Sequence, residues 1–209
     1  MISIGNSIVE IVQKYVSSCR SYDDFINNDA DFWVEIQSLL KNINIMNEYK
    51  PSMDYIHSAF DGYYPTYSLI NSEGNCIEAP NNIILSFLNC KGNDYKSFIW
   101  ESYLFLNLYR LLGWATQDAI YASRPVFSSN DIDNLGINLP AIEKLKKDGF
   151  SFEPELLYSD PVTIIGCHWW SPLKGLYQEI CSFNCINDSL QLLSEAKEIQ
   201  APYEGSLLS

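Results

Sequence analysis

Cys167, His168, Cys181 and Cys185 form the densest group of metal-ligating and nucleophilic side chains, lying within 19 positions of one another. Thiolates and imidazoles bind zinc, and a thiolate beside an imidazole attacks carbonyl carbon. The spacing argues against both uses. Structural zinc sites draw ligands in pairs about two to four residues apart on turns, whereas Cys167 adjoins His168, and Cys181 and Cys185 fall on a segment with helical character. The six cysteines, which include Cys19, Cys76 and Cys90, are too sparse for a disulfide framework. The expectation is reduced, buried thiols and no metal; the sequence does not say whether Cys167, His168, Cys181 and Cys185 converge in space. A Cys-His hydrolase has only His57 and His168 as bases. Adjacent residues rarely face each other, and a pair such as Cys76 with His168 carries no local signature.

Two carboxylate groupings are weaker still. Asp131, Asp133 and Gly136 match the first, third and sixth positions of a calcium loop, but Leu135 and Ile142 stand where further oxygen ligands are required. Turn and capping roles are expected there. Glu101, Arg110 and Asp118 are polar groups on an apolar segment, and spacings of nine and eight residues turn them roughly 180° and then roughly 80° apart on a helix. They do not share a face. No phosphate loop, dinucleotide fingerprint, nucleophile elbow or His-Glu-x-x-His helix occurs, so no cofactor is expected.

Binding is better represented than catalysis. One aromatic group, Tyr63, Tyr64 and Tyr67, follows Asp61 in a predicted loop, with Glu73 nearby; a second, Trp169 and Trp170, precedes a predicted helix. Tyrosine and tryptophan on loops bring large contact area at low entropic cost. These seven residues are the candidate partner-binding set, the competing interpretation of Trp169 and Trp170 being that they plug the end of a helical core.

The elements expected to position these groups are mostly helices. Ile4, Ile8, Ile11, Val12, Tyr15, Val16 and Cys19 recur at three and four, as one buried helical face requires. Phe32, Trp33, Ile36, Leu39, Leu40 and Ile43 repeat the pattern after a start near Asn28 or Asp29. A short helix runs from Ser52 to Phe60 with Pro51 at its entrance, residues 67–70 pair with 76–78 as a hairpin, and helical turns through Ile83, Ile84, Phe87 and Leu88 end at Lys91 and Gly92. From Tyr95 to about Ala122 apolar residues cover nearly every face, the mark of a central helix, which Arg124 and Pro125 close. A polar loop from Ser128 to Gly136 leads to a helix from Pro140 to about Lys147, stopped by Gly149. Two further helices, from Ser171 or Pro172 to about Phe183 and from Asp188 to Ile199, precede a loose tail from about residue 201 to 209. The expected fold is a mainly α, single-domain bundle or array over residues 1–209, with at most one small β-hairpin.

Charge narrows the function. The formal net charge of −13 repels phosphate backbones and favours a basic protein partner. No secretory start is visible, and the most apolar stretch, Tyr103 to Ala115, is interrupted by Asn107 and Arg110, so a cytoplasmic chain without membrane insertion is expected. The leading expectation is a non-catalytic acidic binder, specifically a bacterial immunity protein that neutralises a basic toxin. The alternatives are a hydrolase-like enzyme with a dispersed Cys/His or carboxylate site near His168, and a helical small-molecule binder.

Overall fold

Strand pairing, rather than helix packing, organises this molecule. The computed structural model describes residues 2–19, 29–45, 49–57, 63–78, 88–90, 94–108, 110–111, 123–136, 139–172, 174–187 and 189–202. Among these the order is α1 (Ile2–Ser18), α2 (Asp29–Leu39), β1 (Ile43–Ile45), β2 (Tyr49–His57), β3 (Tyr63–Asn71), β4 (Cys76–Glu78), β5 (Leu88–Cys90), α3 (Tyr95–Leu106), β6 (Arg124–Val126), α4 (Ser129–Asn134), α5 (Pro140–Lys147), β7 (Glu155–Ser159), β8 (Val162–Ser171), β9 (Gly175–Ile186) and β10 (Ser189–Ala201). The strands make a seven-stranded sheet in the order β1-β5-β10-β9-β8-β6, with β7 also on β8, and a three-stranded sheet in the order β2-β3-β4. Every pairing is antiparallel. The all-α expectation is therefore overturned: the protein is mixed α and β.

Each correction has a local cause. β9 buries Tyr177, Glu179, Cys181 and Phe183 and half-exposes Gln178, Ile180, Ser182 and Asn184 between them. That is strand alternation, but it places a carboxylate on the inner row and an isoleucine on the outer one, so hydropathy conceals the period. β10 is rich in Leu, Ala, Glu and Lys, good helix formers whose propensity of a few tenths of a kcal/mol per residue yields to pairing with β9 along nearly the whole strand. Pro51 suits the first turn of a helix equally well as the edge of a sheet, and β2 is the edge strand of the smaller sheet. Ser129–Asn134 forms a short helix where a loop is predicted. Ile83 to Phe87 and the predicted stop at Lys91 and Gly92 lie outside the described residues, and Leu88, predicted as part of that helical segment, begins β5.

Other expectations hold. α1 buries Ile8, Val12 and Tyr15, and α2 buries Phe32, Trp33 and Ile36. In α3 all residues from Phe98 to Phe105 are buried, as a helix apolar on every side demands; the helix ends at Leu106 with Asn107 as its C-cap, short of the predicted end near Ala122, and residues 112–122 lie outside the described residues. The hairpin is present, with Ser68, Leu69 and Ile70 opposite Glu78, Ile77 and Cys76. Gly149, at φ +74°, ends α5, with its N–H donating to the Lys146 carbonyl and that of Phe150 to the Leu145 carbonyl.

The large sheet has two differently covered faces. Its inner face, carrying Ile165, Cys167, Trp169, Tyr177, Cys181 and Phe183, packs with α1, α2 and α3 into the main core. At one end of the outer face a smaller core joins Trp170 and Leu176 to Val126, Ile132, Ile142, Phe152 and Ala201. Ala201 thus ends a paired strand inside a core, where a loose tail is predicted; residues 203–209 lie outside the described residues.

Candidate functional site

Strand geometry separates the sulfur and imidazole groups. Successive residues of β8 point to opposite faces, so Cys167 enters the main core while His168 enters the smaller one. Cys181 shares the inner face with Cys167 but stands opposite Ile165, one pair along. Burial pushes the Cys167 thiol up to about 12 and raises Cys181 further; both are protonated at neutral pH and poor nucleophiles. Cys185 is half-buried near the far end of β9. Among the described residues, no three His, Cys, Asp or Glu side chains are grouped as metal ligands.

His168 is sealed. Phe150 and Phe152 meet its ring edge-on, at 5.2 and 6.1 Å between centroids. Nδ1 lies 3.3 Å from the Phe152 carbonyl oxygen, and Nε2 has no hydrogen-bond partner. Burial holds its pKa below the ordinary imidazole value, so the ring is neutral at physiological pH. Among the described residues neither a thiol nor a carboxylate lies within hydrogen-bonding range of either ring nitrogen. The geometry a hydrolase near His168 requires is thus not found among the described residues.

The strongest buried polar cluster surrounds Glu179, which the sequence reading did not single out. Tyr103 from α3 donates to Glu179 Oε2 at 2.9 Å, and Trp169 Nε1 donates to the Tyr103 hydroxyl at 2.9 Å. Arg110 Nη1 lies 2.7 Å from each carboxylate oxygen, and Lys197 Nζ is 3.5 Å from Oε1. Glu195 closes the chain, 2.8 Å from Lys197 and 3.8 Å from Arg110. The Arg110 guanidinium also stands 5.1 Å over the Trp169 ring. Two cations and two carboxylates balance, so the cluster joins α3 to β8, β9 and β10 as an ion-pair network in which Glu179 Oε1 is held by ion-pair contacts and accepts no aligned hydrogen bond. Glu101 is separate: both its oxygens accept from Asn42, at 2.7 Å each. Asp131 accepts from the Phe127 N–H at 2.8 Å and from Ser128 Oγ at 3.0 Å, a capping role rather than a calcium loop. Asp118 lies outside the described residues.

The described members of the predicted binding set fall on different strands and a turn. Asp61 lies outside the described residues. Tyr63, Tyr64 and Tyr67 are in β3, opposite His57, Ile56 and Met53, in a strand where a loop is predicted. Glu73 is exposed in the β3–β4 turn, where it accepts from Asn75 Nδ2 and its N–H donates to Asn71 Oδ1. Trp169 and Trp170 are in β8 and 1% and 7% exposed, one in each core, so neither presents a surface to a partner in this conformation.

A different surface emerges on the outer face of β7–β10, beyond the smaller core. Leu157 stands opposite Ile164, which stands opposite Ser182 and through it Ser194; in the next row Glu155, Gly166, Ile180 and Ala196 are aligned. Val162 and Ile186 extend the apolar area toward the far end. Leu157 is 61% and Ile186 48% exposed, and Val162, Ile164 and Ile180 are half-exposed. Solvated faces of antiparallel sheets are normally polar. Here the charged residues on the face are Glu155 and Glu198, with no lysine or arginine among the described positions. The β-branched run Val162, Thr163, Ile164, Ile165 is the sequence signal that marks this strand. No helix among the described residues is long and apolar enough to cross a membrane. Compared with protein-family models, curated proteins and solved structures, the chain matches none of them.

Proposed function

We propose that this chain is a non-catalytic, acidic protein that binds another protein through the open outer face of its large sheet. The observation that carries this reading is the apolar strip of Leu157, Ile164 and Ile180 flanked by Glu155 and Glu198, with no basic residue on it among the described positions. Contiguous exposed apolar area of this kind marks interaction sites. Its carboxylate margin and the net charge of −13 favour a partner with a basic rim around an apolar centre. Neutralisation of a basic toxin by a bacterial immunity protein is the specific form we favour. It is supported by charge, since an acidic inhibitor gains association rate and complementarity against a cationic active site.

The test begins with recovery of the partner by co-purification from the native host, followed by binding kinetics on the purified pair. Leu157→Asp and Ile180→Asp should chiefly speed dissociation, by about 2 kcal/mol or more for a central anchor. Glu155→Gln and Glu198→Gln should chiefly slow association and flatten its salt dependence. If all four variants bind as wild type, this face is not the interface. Tyr63→Ala, Tyr64→Ala and Tyr67→Ala in the same assay then decide whether the smaller sheet carries it.

A further inference from the structure

We propose that the cleft between α1 and residues 124–135 binds a small, uncharged, polyhydroxylated molecule of mono- or disaccharide size. The cleft has a volume of about 500 Å³, within the range of small-molecule sites. Asn6, Glu10 and Gln13, at helical spacing, turn one polar stripe of α1 into it, opposite the stripe that buries Ile8, Val12 and Tyr15. Ser128, Asn130, Asp131 and Asn134 line the other wall.

The lining chemistry selects the ligand. Each carboxamide offers an acceptor oxygen and two N–H donors, which matches a pair of neighbouring hydroxyls, each both donor and acceptor. Among the described residues the side chains of Asn6, Glu10, Gln13, Asn130 and Asn134 make no hydrogen bond, and Asp131 uses only Oδ2, leaving Oδ1 to accept. A carboxylate accepting from a hydroxyl makes a charge-assisted bond, about twice as strong as a neutral one. Among the described lining residues Arg124 is the one basic side chain against Glu10 and Asp131, a balance that disfavours phosphate and other anions. Apolar lining is limited to Val9, Pro125, Phe127 and Leu135, of which Pro125 and Phe127 are buried, too little to hold a lipid or a flat aromatic.

Both walls are held in place before any ligand arrives. α1 is fixed by its buried stripe; α4 is fixed by Ile132, fully buried, and by the Asp131 cap. The spacing between the walls is set by Gly5, because a Cβ there would lie 3.0 Å from the Phe127 ring. Such preorganisation reduces the entropy lost on binding. The site is independent of the sheet face proposed as the protein interface.

The experiment follows the side-chain amide signals of the ¹⁵N-labelled chain during separate titrations with glucose, maltose and N-acetylglucosamine, with inorganic phosphate and N-acetylalanine amide as contrasts. Saturable shifts at Asn6, Gln13, Asn130 and Asn134 with at least one sugar are expected. Asn130→Leu, at an exposed position, should weaken that binding about tenfold while leaving the rest of the spectrum intact. Gly5→Ala should change affinity without touching the ligand. The proposal is overturned if none of the sugars shifts these amides, if phosphate or the amide alone does so, or if Asn130→Leu binds as wild type.

Discussion

Glu179→Gln tests whether the buried ion-pair network holds α3 to the sheet. The substitution keeps the shape and the acceptor oxygen of the side chain but removes its charge. Arg110, whose side chain is 13% exposed, then loses the carboxylate at 2.7 Å and keeps the weaker ion pair with Glu195 at 3.8 Å, itself 40% exposed. Breaking a fully buried pair costs about 3–5 kcal/mol; residual solvent and Glu195 reduce this to about 2–3 kcal/mol. Glu179→Leu goes further. It also removes the carboxylate to which the Tyr103 hydroxyl, itself accepting from Trp169, donates, adding about 1 kcal/mol. Adding Arg110→Met to Glu179→Leu removes both charges and should recover about 2 kcal/mol relative to Glu179→Leu alone, because an apolar pair replaces a buried cation that has lost its nearest carboxylate. Urea unfolding followed by circular dichroism and tryptophan fluorescence measures all three, with the midpoint of Glu179→Gln falling by about 1 M. A loss under about 0.5 kcal/mol for Glu179→Gln, or a double variant no more stable than Glu179→Leu, would refute the reasoning.

Two further outcomes follow from the buried side chains. Because burial holds His168 below its ordinary pKa of 6.5, with Glu155 and the Phe152 carbonyl only partly offsetting it, the fold favours the neutral ring. Its contribution to stability is present above about pH 6.5 and is lost as the pH falls from there through the lower folded-state value; His168→Phe should flatten that part of a urea-midpoint profile, and an unchanged profile would contradict the assignment. Cys167 and Cys181 should resist iodoacetamide at neutral pH in the folded protein and react after unfolding, while Cys19 and Cys185, only partly buried, react first. Mass spectrometry of the alkylated peptides reads the order directly.

Elements whose stability is local were legible in the residues. α1 shows its buried stripe at Ile8, Val12 and Tyr15, α3 shows its all-round burial, and α5 shows its start at Pro140 and its stop at Gly149. Repeats of three and four, a capping site or a positive-φ glycine involve only neighbours in the chain. The β3–β4 hairpin is local in the same way. The larger sheet is different, since β5 meets β10 and β6 meets β8 across long stretches of sequence. Helix-forming residues in β10 and the inward carboxylate of β9 masked the strands until their partners were known.

The candidate surfaces divide along the same line. Acidity, the absence of cofactor motifs and the residue types available for binding are properties of composition and short spacing, and the sequence by itself determined them. Tertiary structure alone decided that Trp169 and Trp170 face opposite cores, that Cys167 and His168 are parted by the sheet, and that Glu179 finds Arg110 and Tyr103. The physical reason is that strand register assigns each side chain to a face, and register is settled by pairing with residues distant in the chain.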